Sequence, residues 1–239
     1  MQTMKNVQLI SIVIPAYNEE KYITKCLAAL KAQHTSIPYE IIVVDNASTD
    51  ATAAIAKKRG ASVIYESKKG VARAVNTGLR KAKGSYIALI DADTIVPTMW
   101  LQRIYEMFQK HPNAVCIGGP GNFYNGPFFI VRTFEILNRL ALGLRIVQPM
   151  GFNMAISKKA RTLALNSGNY QDLQWDRCMV NSLKPYGQII FSPLLTVSMS
   201  SRRWRSPGII LTETIQRLIN VVSLAVVKKP IFLSFKDYR

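Results

Sequence analysis

The order in which short apolar runs and amphipathic segments alternate constrains this chain more than any other property of its sequence. Residues 9–14 form a run that is apolar but for Ser11 and is stopped by Pro15, the pattern of a strand buried on both faces. Asn18 is placed to cap a helix in which Tyr22, Ile23, Cys26, Leu27 and Leu30 recur at helical spacing. A second strand over 41–44 ends at Asp45, Asp50 opens an alanine-rich helix stopped by Gly60, and Ser62–Tyr65 is a third strand. Residues 70–82 are helical, Tyr86–Ile90 is a fourth strand, and Pro97 suits the first position of a helix running to Lys110. This alternation predicts an α/β fold with a mostly parallel sheet flanked by helices. The second half is less regular. It has a loop at Gly118-Gly119-Pro120-Gly121, an apolar helix over 128–142, and strands over 151–156 and 188–199 around a helix over 176–184.

In a parallel α/β sheet, ligands sit at the carboxyl ends of the strands. Three expected strands end in polar residues: Pro15-Ala16-Tyr17-Asn18-Glu19, Asp45-Asn46-Ala47-Ser48 and Asp91-Ala92-Asp93. A carboxylate there accepts hydrogen bonds from a ribose hydroxyl or a base N–H, and Tyr17 suits the face of a base. Asp91 and Asp93, one residue apart on a tight loop, are placed to converge on a hard cation such as Mg²⁺ or Mn²⁺, whose shell is commonly completed by phosphate and water oxygens. Gly70 through Asn76 opens a helix whose free N–H groups, with Arg73, suit an anion or a tie to Asp45.

These segments resemble the family 2 glycosyltransferases, whose fold is called GT-A. The matching stretches are residues 11–20, 42–50 and 70–93, in order and at the spacing that family uses. The resemblance implies inverting transfer from a nucleoside diphosphate sugar, by default a UDP-sugar. It implies that Ala16, Tyr17, Glu19, Asp45 and Arg73 contact or organise the nucleotide, that Asp91 lies near the ribose and diphosphate, and that Asp93 is the principal metal ligand. It extends to residues 151–156, which are similar to the strand lining the sugar and acceptor site, so that Gly151 and Asn153 are expected there. Farther on, where the family carries an acid pair before a helix, this chain has Trp175-Asp176: Asp176 takes the place of the general base, Trp175 replaces the preceding acid, and Asp172 is the competing residue. Arg202, Arg203 and Trp204 match a basic segment that folds over the diphosphate or the acceptor. On this reading the chain is one domain, with a nucleotide-sugar half over 1–115, an acceptor half over 116–206 and an amphipathic C-terminal helix and tail over 207–239.

Composition sets the partners and the alternatives. At 239 residues, 49% of them hydrophobic, the chain has enough apolar material for a full α/β core. The net charge of +17 calls for a polyanion: nucleotide phosphates, an anionic membrane surface or nucleic acid. No aromatic-basic recognition motif or helix-turn-helix pattern supports nucleic acid. No apolar run reaches the length of a membrane span and no leader precedes the first strand, which suggests a cytoplasmic protein, with residues 209–227 as a membrane-surface or oligomer contact. The acceptor is left open among a sugar, a lipid carrier and a small molecule. Cys26, Cys116 and Cys178 lack paired spacing and are expected to be buried free thiols. A haloacid-dehalogenase-type phosphatase using Asp91 would need Thr or Val where Ile95 stands, and would not explain the end of the first strand. A catalytically silent sugar-nucleotide module is the other alternative.

Overall fold

The computed structural model describes residues 8–128, 131–132, 135–136, 139, 149–166 and 175–202. Its centre is a seven-stranded sheet. In chain order the strands are β1 (Ile10–Ala16), β2 (Tyr39–Asp45), β3 (Ser62–Tyr65), β4 (Tyr86–Ile90), β5 (Ala114–Gly118), β7 (Asn153–Ser157) and β8 (Gln188–Phe191). Two short strands, β6 (Gly121–Phe123) and β9 (Val197–Met199), form a second sheet. The large sheet runs β3-β2-β1-β4-β7-β5-β8. All its pairs are parallel except those of β7, which lies antiparallel between β4 and β5.

The alternation of strand side chains builds one core on each face. Ile10, Ile12 and Ile14 of β1 point into a core shared with Leu27 and Leu30 of α1 (Ile23–Lys31), Ala56 of α2 (Thr52–Lys58) and Trp100 and Ile104 of α4 (Trp100–Lys110). Val13 points the other way, to Val75 and Leu79 of α3 (Val71–Lys81), Ala160 of α5 (Lys158–Asn166) and Met179 of α6 (Trp175–Leu183). Helix α3 comes close to the sheet because Gly78 has no side chain. A Cβ there would lie 2.3 Å from Val13 Cγ1 and 3.2 Å from Val44 Cγ2. Gly78→Ala is therefore expected to lower stability by about 1–3 kcal/mol through overpacking, although alanine is the better helix former. Urea unfolding checks this, and an unchanged midpoint would refute the close packing.

Several local expectations change. Pro15 does not stop β1: Ala16 O accepts from Asn46 N of the β2 side at 2.8 Å, so Pro15, one residue earlier, turns its missing donor toward β4. Pairing with β4 has already ended there, at Val13↔Leu89. Pro97 precedes its helix by three residues, in a turn closed by Trp100 N on Pro97 O at 3.0 Å. The stretch over 188–199 is two strands, because Pro193 opens a 3-10 turn between them. Cys178 is exposed, whereas Cys26 and Cys116 are buried. The helix expected over 128–142 is described only at scattered positions, which are helical.

Candidate functional site

The chain leaves β1 toward β2 and β3 on one side and returns to β4 on the other, so a crevice opens at the carboxyl ends of β1, β2 and β4. Its rim is two laced turns. Asn18 and Ala47 adopt left-handed φ values of 54° and 58°. Asn18 N donates to Ser48 Oγ at 3.0 Å and Thr49 N donates to Asn18 Oδ1 at 2.9 Å. Asn18 is thus engaged across the turns, and α1 starts without a side-chain cap. Glu19 N donates to Thr52 Oγ1 at 2.7 Å, and its side chain is buried in the crevice.

Asp45, at the end of β2, is also buried, and its Oδ1 has no hydrogen-bond partner among the described residues. A buried carboxylate oxygen left in this state costs about 1–3 kcal/mol or more, a cost that a ligand donor would remove. Asn46 next to it is fully engaged: Nδ2 donates to Glu66 O at 3.2 Å and Lys68 O at 2.8 Å, while Oδ1 accepts from Gly70 N at 2.8 Å. It holds the loop from β3 to α3. That loop places Lys69 Nζ 2.7 Å from the Tyr17 hydroxyl and 4.6 Å from the centroid of its ring. Arg73 is exposed on the first turn of α3. The Thr77 hydroxyl and Lys68 N–H hold the Glu66 carboxyl below its ordinary range, with smaller help from the Arg73 charge.

Asp91-Ala92-Asp93 follows β4 in a turn closed by Thr94 N on Asp91 O at 3.1 Å. Ile95 and Ser198 then exchange backbone hydrogen bonds of 2.7 and 2.9 Å, which ties this loop to β9. Strand β9 in turn delivers Arg202 to the crevice. Arg202 Nη1 donates to Glu19 Oε2 at 2.6 Å, Nη2 donates to Glu19 Oε1, and Nε lies 3.1 Å from Asp93 Oδ2. The guanidinium stands 4.4 Å from the centroid of the Tyr22 ring. The guanidinium is thus held between two carboxylates and a ring. Cys26 senses the same field: burial raises its thiol, and the charges of Asp93, Asp91 and Glu19 raise it further. Among the described residues no cluster of three or more His, Cys, Asp or Glu could hold a metal ion. Asp91 and Asp93 suit a hard cation whose remaining positions go to ligand and water oxygens.

Asp176 lies in the first turn of α6, near enough to Asp91 for that charge to act on it. Burial raises its carboxyl above the ordinary range and Asp91 adds to the shift, against the N–H groups of Gly151 (3.0 Å to Oδ2) and Arg177 (2.7 Å to Oδ1). Asn153 is 1% exposed, and both ends of its amide are engaged. Oδ1 accepts from Trp100 Nε1 at 3.0 Å, and Nδ2 donates to Leu195 O at 2.6 Å and Pro120 O at 3.4 Å. Asp172, Arg203 and Trp204 lie outside the described residues. Tyr22 and Lys69 complete the site without having been singled out from sequence. Tyr22 reads there as one more position of an apolar helix stripe, and Lys69 as one of many surface lysines.

The architecture is that of a GT-A domain. The model of glycosyl transferase family 2 matches residues 11–165, and the chain belongs to that family. It is 36% identical over 154 residues to glycosyltransferase GlyG of Streptococcus pneumoniae serotype 4, covering 56% of this chain and 50% of that protein. It is 33% identical over 120 residues to the chondroitin synthase of Escherichia coli, covering 48% of this chain and 17% of that protein. The chain therefore spans half or less of the length of these relatives. Among solved structures it resembles mannosyltransferase PcManGT from Pyrobaculum calidifontis in complex with GDP-Man and Mn²⁺, with TM-score 0.67, 21% identity, and coverage of 91% of this chain and 64% of that one. It also resembles glucosyl-3-phosphoglycerate synthase from Mycobacterium tuberculosis in complex with Mn²⁺ and UDP-Glc, with TM-score 0.63, 19% identity, and coverage of 90% and 78%. At these identities the likeness is one of fold.

Proposed function

We propose that this chain transfers a sugar, with inversion, from a nucleoside diphosphate sugar to a hydroxyl acceptor, using a divalent metal. The observation that carries this reading is the convergence at the strand ends of Asp45, whose Oδ1 is unpaired among the described residues, and of the Asp93, Glu19 and Arg202 cluster, with Asp91 in the same turn as Asp93. Asp45 accepts a base or ribose donor, Tyr17 lies along the base, and Asp91 and Asp93 hold the cation with Asp93 as principal ligand. A divalent metal held by these carboxylates would offset charge developing on the departing diphosphate. Arg202 adds a forked donor for phosphate oxygens. Asp176 takes the proton of the acceptor hydroxyl as its oxygen bonds to the anomeric carbon and the bond from that carbon to the diphosphate breaks. The Mn²⁺ complexes of two structures of this fold, one with GDP-Man and one with UDP-Glc, support the donor class, and UDP is the default nucleotide.

Calorimetric titration with UDP and GDP, each with Mn²⁺ and then with EDTA, tests the reading. Binding of one nucleotide that disappears with EDTA is expected. A folded protein that binds neither would overturn the donor site and favour a silent module. The Arg202 contacts add a second test. Arg202 and a metal compete for Asp93, so Arg202→Met is expected to tighten Mn²⁺ binding in the absence of nucleotide by about tenfold, the order of a half-buried ion pair. The same substitution should weaken binding of the Mn²⁺–nucleotide complex. Mn²⁺ affinity that does not rise would show that Arg202 does not occupy the metal's place.

The described residues include no helix long and apolar enough to cross a membrane. Attachment to an anionic membrane surface, on the cytoplasmic side, rests on the +17 charge and on residues 207–239, which lie outside the described residues.

A further inference from the structure

Gly151 has a constraint that its backbone does not explain. Its φ is not in the left-handed region, so the turn from Met150 to Asn153 does not need glycine for conformation. What excludes a side chain is Trp175. A Cβ on Gly151 would lie 2.2 Å from Cζ2 and 2.8 Å from Cη2 of that indole, which is only 7% exposed and packed in the core with Met179, Val180 and Leu183. A buried ring of this kind cannot swing aside cheaply. The contact brings the turn down onto the start of α6, where Gly151 N donates to Asp176 Oδ2 at 3.0 Å while Arg177 N donates to Oδ1. Trp175 is the residue immediately before Asp176, so the ring that seats Gly151 and the carboxylate that Gly151 orients share one turn of helix.

We infer that Gly151 and Trp175 are paired positioning residues: the indole seats the Gly151 backbone so that its N–H fixes the rotamer of Asp176 toward the acceptor. This rests on the reading of Asp176 as the base. The geometry of a general base is exacting, and a displacement of about 1 Å can cost on the order of 100-fold in rate. The charges acting on Asp176 are those of Asp91 and of Arg177 beside it. Arg177 also donates its backbone N–H to Oδ1 from within the helix, whereas Gly151 donates to Oδ2 from the facing turn.

Three variants decide it: Gly151→Ala, the double variant Gly151→Ala/Trp175→Phe, and Asp176→Asn. Phenylalanine keeps an aromatic ring but lacks the outer indole carbons that a Cβ at 151 would meet. The readouts are the turnover of UDP-glucose with water standing in for the acceptor, the UDP affinity with Mn²⁺, and NMR titration of the Asp176 carboxyl carbon. Gly151→Ala is expected to lose at least tenfold in turnover with UDP affinity unchanged, and to move the Asp176 titration upward because a hydrogen bond to the carboxylate is lost. The double variant should regain most of the turnover and return the titration toward wild type. An unchanged titration in Gly151→Ala overturns the inference, as does a double variant that folds but titrates like the single one. Should Gly151→Ala fail to fold, the double variant is compared with wild type directly, and a displaced Asp176 titration there overturns the pairing. If the titration responds as expected but Asp176→Asn retains turnover, the positioning stands and the assignment of the base fails.

Discussion

Asp93→Ala is expected to abolish the Mn²⁺-dependent part of nucleoside diphosphate binding, a loss of about 100-fold or more in affinity, which corresponds to roughly 2.7 kcal/mol. Asp93 stands at the meeting of two demands. Its Oδ2 faces Arg202 at 3.1 Å, and with Asp91 it supplies the carboxylates the crevice offers a hard cation after β4. Removing it leaves the cation to Asp91 and to the diphosphate, too few fixed oxygens to hold it against water. The sheet should not suffer, because Asp93 lies in the turn beyond β4 and the backbone bridge from Ile95 to Ser198 remains. The variant should therefore keep its sheet, melt below wild type because the pair with Arg202 is lost, and keep a weak, metal-independent affinity through Asp45 and Arg202. Calorimetry with and without EDTA separates the two components. An affinity for UDP with Mn²⁺ equal to that of wild type would remove Asp93 from the metal site.

What the sequence made legible, and what it did not, follows the range of the forces involved. Ser62–Tyr65 and Tyr86–Ile90 could be placed residue by residue because each is an apolar run bounded by turn residues, a purely local signal. Glu19, Asp45, Asp91 and Asp93 were legible as candidates for the same reason: each is a polar residue where such a run gives out. The insertion of β7 antiparallel between β4 and β5 was not legible, because strand order depends on contacts between distant segments. Residues 114–118 were passed over as a strand, lying between a helix and a glycine-rich loop, although all five are buried. The pairing of Arg202 with Glu19 spans 183 residues. Sequence marked Arg202, by resemblance, as part of a basic segment folding over the diphosphate or acceptor but gave no partner for it, and the pairing of β9 with β6 and its bridge to Ile95 aim it at the crevice. Asn46 and Asn153 show the reverse case. Both carry the polar chemistry of a ligand contact, yet in the fold their amides are engaged with the protein itself.

Asp176→Asn is expected to reduce transfer by about 100- to 10,000-fold while leaving nucleotide affinity intact. Asparagine has nearly the same shape but a single acceptor oxygen, so it keeps the bond from Gly151 N or the one from Arg177 N, and loses the other together with the capacity to take a proton. Asp176 also sets the pH dependence. Its carboxyl is raised above the ordinary range, chiefly by burial. It is therefore protonated and inactive as a base at acid pH, and turnover should rise with pH as it ionises, with an acid limb above that of a free aspartate. The stability linkage has the opposite sign. Between the unfolded and the raised folded value the unfolded chain binds fewer protons, so Asp176 lowers stability as pH rises through that window. The asparagine variant lacks this penalty but leaves one backbone N–H without its acceptor, so its urea midpoint, measured beside its turnover, separates lost chemistry from lost fold. Asp172, outside the described residues, is the comparison. If Asp172→Asn removes transfer and the acid limb while Asp176→Asn keeps both, the base is Asp172, and the raised carboxyl at the start of α6 reflects burial beside Asp91 alone.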